Sequence, residues 1–392
     1  MSLVKEKIAQ AAHILKELDI DLWLTVCRES ESVPDPAAAL ITDQHVCWLT
    51  GFFITAQGQH MVLAGGADAP NYERSGLYTR VVTYQEDVGA AMREILEELA
   101  PRRIALNYSK ASYTADGLSH GLYLLLTEYV EGTPYQERLV SAEEIIAKLR
   151  GRKIPMEIQR LETAARMAHQ VWETSLAQIR VGMSEIEIAA LLETNIRKQG
   201  VTPSFPTIVN AGTKSQAGHS KPSAAILEKG DLLHVDFGVR YKSYCSDIQR
   251  LAYFKRDGET AAPDALLRAF DCIKTIVDET SREYRPGVPG RSIDALAREI
   301  LVKDGYPEYQ HGLGHQIGQS VHDGGALVGP PWERYGDLVN IPLEENSTFT
   351  VELGVTLDGI GHVSLEEDLV VTPAGGKFLG PRQTALVVKD CS

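Results

Sequence analysis

Three histidines fall within twelve residues of the stretch HGLGHQIGQSVHDGG, which runs from His311 to Gly325. Their intervals are four and seven, in a chain that has 11 histidines altogether. His311 and His315 have the spacing of the two helix-borne ligands in an HExxH zinc site. Here the intervening residues are Gly-Leu-Gly, without the glutamate, and Gly318 follows closely. Each glycine costs a helix about 1 kcal/mol relative to alanine. The pattern therefore predicts an extended, glycine-kinked strand or loop whose backbone passes close to another segment. A lone histidine is ordinarily a hydrogen-bonded structural side chain, but a glycine-rich group of three calls for chemical partners.

Those partners are acidic residues set inside apolar strand patterns. Charged side chains are rarely buried unless they are paired or bound to a metal. Asp236 lies inside LLHVDFGV, and Asp247 lies in the next strand-like run. A hairpin turn centred on Tyr241–Lys242 sets the two directly opposite, whereas a turn one residue later leaves them a diagonal pair, still within reach. Downstream, Glu352 sits in FTVELGV and Glu366 in VSLEEDLVV. A hairpin centred on Gly359, in the Asp-Gly between them, places Glu352 opposite Glu366. Like charges at such separations repel, so positive charge belongs between them. Four carboxylates and one imidazole make a hard, oxygen-rich set with lone pairs for two bridged divalent ions. Such ligation favours manganese, with cobalt, iron or zinc also admissible.

The elements that must hold these residues fall into two parts. At 392 residues the chain is long for one core, and two domains are expected. Residues 1–150 alternate an amphipathic segment with the apolar runs LWLTV and MVLAG, which predicts an α/β domain. Residues 151–392 begin near the basic GRKIP, with capping boxes at Ser141/Glu144 and Ser184/Glu187 marking helix starts. A helix over about 156–180 and two strand pairs make this second part α+β. The formal charge of -14 argues against a nucleic-acid or anionic-membrane partner. Five scattered cysteines without a CxxC, no leader-like apolar segment and no run long enough to span a bilayer predict a cytoplasmic protein.

The set Asp236 and Asp247 in VDFGVRYKSYCSDIQR, His315 in HGLGHQIG, Glu352 in FTVELG and Glu366 in LEEDLVVT resembles the metallopeptidases of the pita-bread fold. These comprise methionine aminopeptidase, aminopeptidase P and prolidase. The order and intervals are those of the family's five metal ligands. The resemblance covers residues 151–392, and the first 150 are similar to the N-terminal domain of prolidase, aminopeptidase P and creatinase, which favours the Xaa-Pro branch. It implies an α/β N-terminal domain, a pita-bread catalytic domain, two divalent ions and hydrolysis of the Xaa-Pro bond of dipeptides or short peptides. The attacking species would be a hydroxide bridging the ions. Glu352 would carry the proton, while His219 in QAGHSKPS and His322 in SVHDGG would stabilise the oxyanion and position the substrate. His311 matches a further pocket histidine, and a homodimer is expected. Glu366 rather than Glu367 fits the family's interval to Thr372, and strand alternation then turns Glu367 away as a solvated or salt-bridged side chain. Arg250 is read as an ion-pair partner of the ligand carboxylates. Two departures stand out. Leu353-Gly354 follows the first glutamate where Pro-Gly is usual. Ser364 replaces the usual arginine that binds a dipeptide's carboxylate in prolidase, leaving Arg250 or Arg334 as candidate clamps. A creatinase-like C–N hydrolase and a non-catalytic binding protein are the alternatives. The Trp332–Asp337 stretch is expected to be a pocket wall or a dimer contact.

Overall fold

β-Branched and aromatic runs bounded by turn residues become strands in both halves of the chain. The computed structural model describes residues 2–214 and 220–391, and the chain divides into the units Met1–Arg150 and Gly151–Ser392. In the first unit β1 (Leu22–Cys27), β2 (Thr50–Thr55), β3 (His60–Gly65), β4 (Arg80–Tyr84), β5 (Ile104–Leu106) and β6 (Leu139–Ser141) form one sheet in the order β4-β3-β2-β1-β5-β6. LWLTV and MVLAG are β1 and β3. They are almost wholly apolar because both faces are covered. Trp23 and Phe52 face the Leu3–Glu17 and Glu143–Gly151 helices, while Leu24 and Phe53 face Val88–Leu99 and His120–Tyr129. Ser141 closes β6, and its hydroxyl accepts the Glu143 N–H, so the expected Ser141/Glu144 capping box is not formed.

In the second unit β7 (Thr202–Pro203), β10 (Val239–Tyr241) and β11 (Tyr244–Cys245) make a small sheet. The large sheet runs β15 (Thr348–Leu357), β16 (Gly361–Thr372), β12 (Ile248–Phe254), β9 (Leu232–Phe237), β8 (Ile208–Ala211). β17 (Gly375–Phe378) and β18 (Val387–Lys389) are added to β16 and β12, and β13 (Gly314–His315) pairs with β14 (Leu327–Val328). Two helix pairs cover this sheet. Pro155–Leu176 and Glu185–Lys198 pack on β8, β9 and β12, while Asp264–Ser281 and Gly290–Lys303 pack on β15 and β16. The Glu185–Lys198 helix starts with the expected box: Ser184 Oγ accepts the Glu187 N–H, and the Glu187 carboxylate accepts the Ser184 N–H at 2.7 Å. Gly200, at φ +75°, follows its end. No helix among the described residues is long and apolar enough to cross a membrane.

Candidate metal centre

The carboxylates are delivered by strand register. β15 and β16 pair without interruption from Thr348↔Val370 to Leu357↔Gly361, which sets Glu352 opposite Glu366 around a turn that includes Gly359 at φ +73°. The other hairpin turns at Lys242–Ser243, both with positive φ, one residue beyond Tyr241–Lys242. Asp236 therefore faces Gln249 and sits diagonally from Asp247, the second of the two registers the sequence left open. Gly238 separates β9 from β10 because a Cβ there would lie 1.8 Å from the Ser246 carbonyl oxygen. Gln249 in turn pairs with Glu366, so one row crosses four strands: Asp236, Gln249, Glu366, Glu352.

The HGLGH stretch is extended, as its glycines require. Gly314 lies directly on β15, where a Cβ would come within 2.0 Å of the Thr350 carbonyl oxygen. The Glu352 N–H donates to Leu313 O at 2.7 Å, fixing this strand over the row of carboxylates. His315 Nδ1 is 3.2 Å from the Gln316 carbonyl oxygen, which can only accept. The proton therefore resides on Nδ1, and Nε2 points to Glu352 Oε1 at 3.7 Å and Asp247 Oδ2 at 3.9 Å. Such an outer hydrogen bond is how metal-binding imidazoles are oriented.

Ligand-type atoms of Asp247, His315 and Glu366 lie within 4.8 Å of one another. Asp236 Oδ1, Asp247 Oδ1 and Glu366 Oε1 are buried without a hydrogen-bond partner, which native structures seldom tolerate. Burial first, and the neighbouring carboxylates second, push the pKa values of Asp236, Asp247 and Glu366 well above the usual range and that of Glu352 up to about 8. A buried, mutually repelling set of oxygens with one oriented imidazole fits divalent cations.

Several supporting residues escaped the sequence reading. Gln249 Nε2 donates to Glu366 Oε2 at 2.9 Å and Glu352 Oε2 at 3.3 Å. Its Oε1 accepts from Ser364 Oγ and from His234 Nε2, the latter at 3.0 Å. His234 Nδ1 lies 3.0 Å from Asn210 Oδ1, and burial lowers the pKa of the ring to about 4. Asp368, on the same face of β16 as Glu366, accepts the Asp247 N–H at 3.1 Å. Lys153 Nζ binds Asp323 Oδ2 at 2.9 Å in a fully buried ion pair beside His322. Gly318 makes room for that pair, since a Cβ there would lie 2.1 Å from Asp323 Oδ2. Asp294 and Arg298 hold the start of the histidine strand through Leu313 N and His311 O. No local motif marks these partners, because the contacts join separate elements that meet only in the folded chain.

Two cavities meet at the carboxylates. One, of about 310 Å³, is walled by Phe205, Pro206, Ile208 and Val321 with Lys221. The other, of about 440 Å³, is walled by His234, His311, His362, Gln249, Ser364 and Tyr335. Asp236, His315, His322 and Glu352 border both. The His322 ring lies 4.4 Å from that of His315, and His311 Nδ1 contacts Gly312 O at 2.7 Å. His219 lies outside the described residues. Glu367 is buried and salt-bridged to Arg250 at 2.9 Å, not solvated. Arg250 thus pairs with Glu367 and with the Glu366 backbone oxygen, not with the ligand carboxylates. Nor can it act as a clamp, being 1% exposed and lining neither cavity. Arg334 stacks on Trp332 and Tyr335 and also lines neither cavity. From the Trp332–Asp337 stretch, Tyr335 reaches the second cavity as a wall.

Residues 159–373 match the model of metallopeptidase family M24. A putative dipeptidase, YkvY of Bacillus subtilis, is 30% identical over 368 residues, covering 90% of this chain and 95% of its own. An Xaa-Pro dipeptidase of Pyrococcus horikoshii is 28% identical over 247 residues, covering 62% and 67%. Among solved structures, an Xaa-Pro dipeptidase from Bacillus anthracis superposes with a TM-score of 0.76 at 26% identity, over 98% of this chain and 100% of that one. An X-Pro aminopeptidase from Thermotoga maritima gives a TM-score of 0.74 at 24% identity over 97% and 99%, and shares the fold. With more than half its length matched and its two-unit pita-bread architecture shared, the chain belongs to metallopeptidase family M24.

Proposed function

We propose that this metallopeptidase uses two divalent ions, manganese by preference, to hydrolyse the Xaa-Pro bond of dipeptides or short peptides. The observation that carries the reading is the row Asp236, Gln249, Glu366, Glu352 with Asp247 and the oriented His315 beside it. Asp236, Asp247, His315, Glu352 and Glu366 would hold the ions. When bound, the ions supply Lewis-acid activation of water and of the scissile carbonyl. Glu352 belongs to the ligand set and borders both cavities, so it accepts the proton of the attacking water and returns it to the departing proline nitrogen. His322 borders the same junction and donates to the carbonyl oxygen as that oxygen gains charge, with His219 as its expected companion. Residues 1–150 are taken as the creatinase/prolidase-type N-terminal domain. A cytoplasmic homodimer completes the reading.

The test is to strip the protein of metal, reload it with Mn2+, count bound metal, and measure proline release from alanyl-proline and alanyl-prolyl-alanine. Two ions per chain and cleavage before or after the reload in proportion to bound metal are expected. Two bound ions with no cleavage of any Xaa-Pro substrate would overturn the substrate assignment.

A further inference from the structure

One wall of the first cavity is held by a carboxylate that does not line it. Ser220, Lys221 and Pro222 line that cavity, which also borders all four acidic residues of the metal centre. Residues 220–225 belong to no strand, so no ladder fixes them relative to the sheet. The arm that ends β8 is different. Ala211 pairs with Leu233 and Ile208 with Asp236, which locks this arm to a strand of the metal centre.

Glu185 joins the two arms. It is 1% exposed, and a carboxylate is buried only where polar partners replace water. Its Oε1 accepts the Ala211 N–H at 2.8 Å, at the end of β8. Its Oε2 accepts the Ser223 N–H at 2.9 Å and the Ser223 hydroxyl at 2.7 Å. The N–H groups of a first helical turn have no partner inside the helix, and here they serve the same arm. The Glu185 N–H donates to Ala225 O at 3.0 Å and the Ile186 N–H to Ser223 O at 3.2 Å. Asn210 Nδ2 adds a tie of its own, to Ser220 Oγ at 3.1 Å. The helix already has a complete cap in Ser184 and Glu187, so Glu185 is not needed to start it. Its oxygens are spent on residues 26 and 38 positions away.

We propose that Glu185 is a positioning residue for the first cavity: by tying Ser223 to the end of β8 it sets Ser220, Lys221 and Pro222 at their distance from the metal ligands. The inference rests on the Xaa-Pro reading for what occupies the cavity. Loosening the tie weakens the hold on substrate and leaves the metal centre intact, a loss of uniform binding that appears in KM and not in kcat. Glu185→Gln keeps the shape of the side chain, but one of its two ends then presents an NH2 to a donor. With alanyl-proline and the manganese-loaded enzyme, KM should rise about tenfold and kcat stay within about twofold. Mn2+ affinity, measured by calorimetry, should not move. Hydrogen exchange read by mass spectrometry should quicken in residues 220–227 and stay unchanged in β9 and β12. Glu187→Gln loosens the same helix start without touching either arm, so it should lower the melting temperature and leave KM in place. Ser223→Ala, which removes one donor and keeps the carboxylate, should raise KM less and serves if Glu185→Gln does not fold. Unchanged KM in a folded variant, a fall in kcat alone, an equal rise in KM for Glu187→Gln or a parallel loss of Mn2+ affinity overturns the assignment. If the wild type cleaves no Xaa-Pro substrate, the substrate reading fails and the exchange experiment decides alone. Selective loosening of 220–227 then sustains the tie, and unaltered exchange overturns it.

Discussion

The two carboxylate hairpins do the same job by different means. The β15–β16 hairpin is regular through ten residue pairs and places its two glutamates face to face. The hairpin that carries Asp236 and Asp247 is broken at Gly238 and turns at two residues with positive φ, and its aspartates are offset along the strands. What fills the place opposite Asp236 is a neutral amide, Gln249. A second pair of directly opposed carboxylates would crowd more negative charge into one row, whereas the glutamine donates to the first pair. The regular hairpin concentrates charge, and the irregular one spreads it and orients its neighbour.

Breaking the charged pair should have the largest effect. Glu366→Ala is expected to lower kcat/KM by about a thousandfold or more and to lose bound metal, read by kinetics and metal analysis. Gly238→Ala attacks the irregular hairpin at its backbone. The clash with Ser246 O should cost about 3 kcal/mol, visible in urea denaturation. Gln249→Leu removes the donor to both glutamates and should reduce metal affinity or activity by about 10–100-fold, as loss of an outer-sphere partner does. The contrast predicts a smaller change for Gly359→Ala in the regular hairpin, where nothing lies within 4 Å of the new Cβ and only the positive φ is penalised. About 1 kcal/mol is expected there.

The shared charge can also be titrated. The folded-state pKa values of Asp236, Asp247, Glu352 and Glu366 are raised above their unfolded values. The folded metal-free protein therefore binds more protons than the unfolded chain. Its stability from these groups is full below about pH 4 and is lost as pH climbs, for Glu352 through about 8. Melting of metal-free protein should occur at lower temperature at pH 8 than at pH 6, while the gain on adding Mn2+ should be larger at pH 8. An identical metal-induced gain at both pH values would contradict the repelling set.

Legibility in the sequence followed the same division. The Asp-Gly at 358–359 announces its turn, so the facing of Glu352 and Glu366 could be read from residue spacing alone. The other turn, Lys242–Ser243, carries no glycine, and two registers remained open. Glycine spacing revealed the extended HGLGH strand because a helix would have been too costly there. The Gln249, His234 and Ser364 contacts were invisible, since residues 115 positions apart meet only when β12 and β16 pair at one point. Glu367 was misjudged in part because alternation gives the direction of a side chain but not what covers it.

The buried Lys153–Asp323 pair has a consequence for dissecting the protein. Asp323 neighbours His322, whereas Lys153 precedes the Pro155–Leu176 helix. A fragment beginning at Met156 would retain Asp236, Asp247, His315, Glu352 and Glu366 yet strand an aspartate in the interior without its counter-charge. Such a fragment should keep its capacity for metal while losing the placement of His322, so an inactive but metal-binding truncation would reflect a cut made a few residues too late.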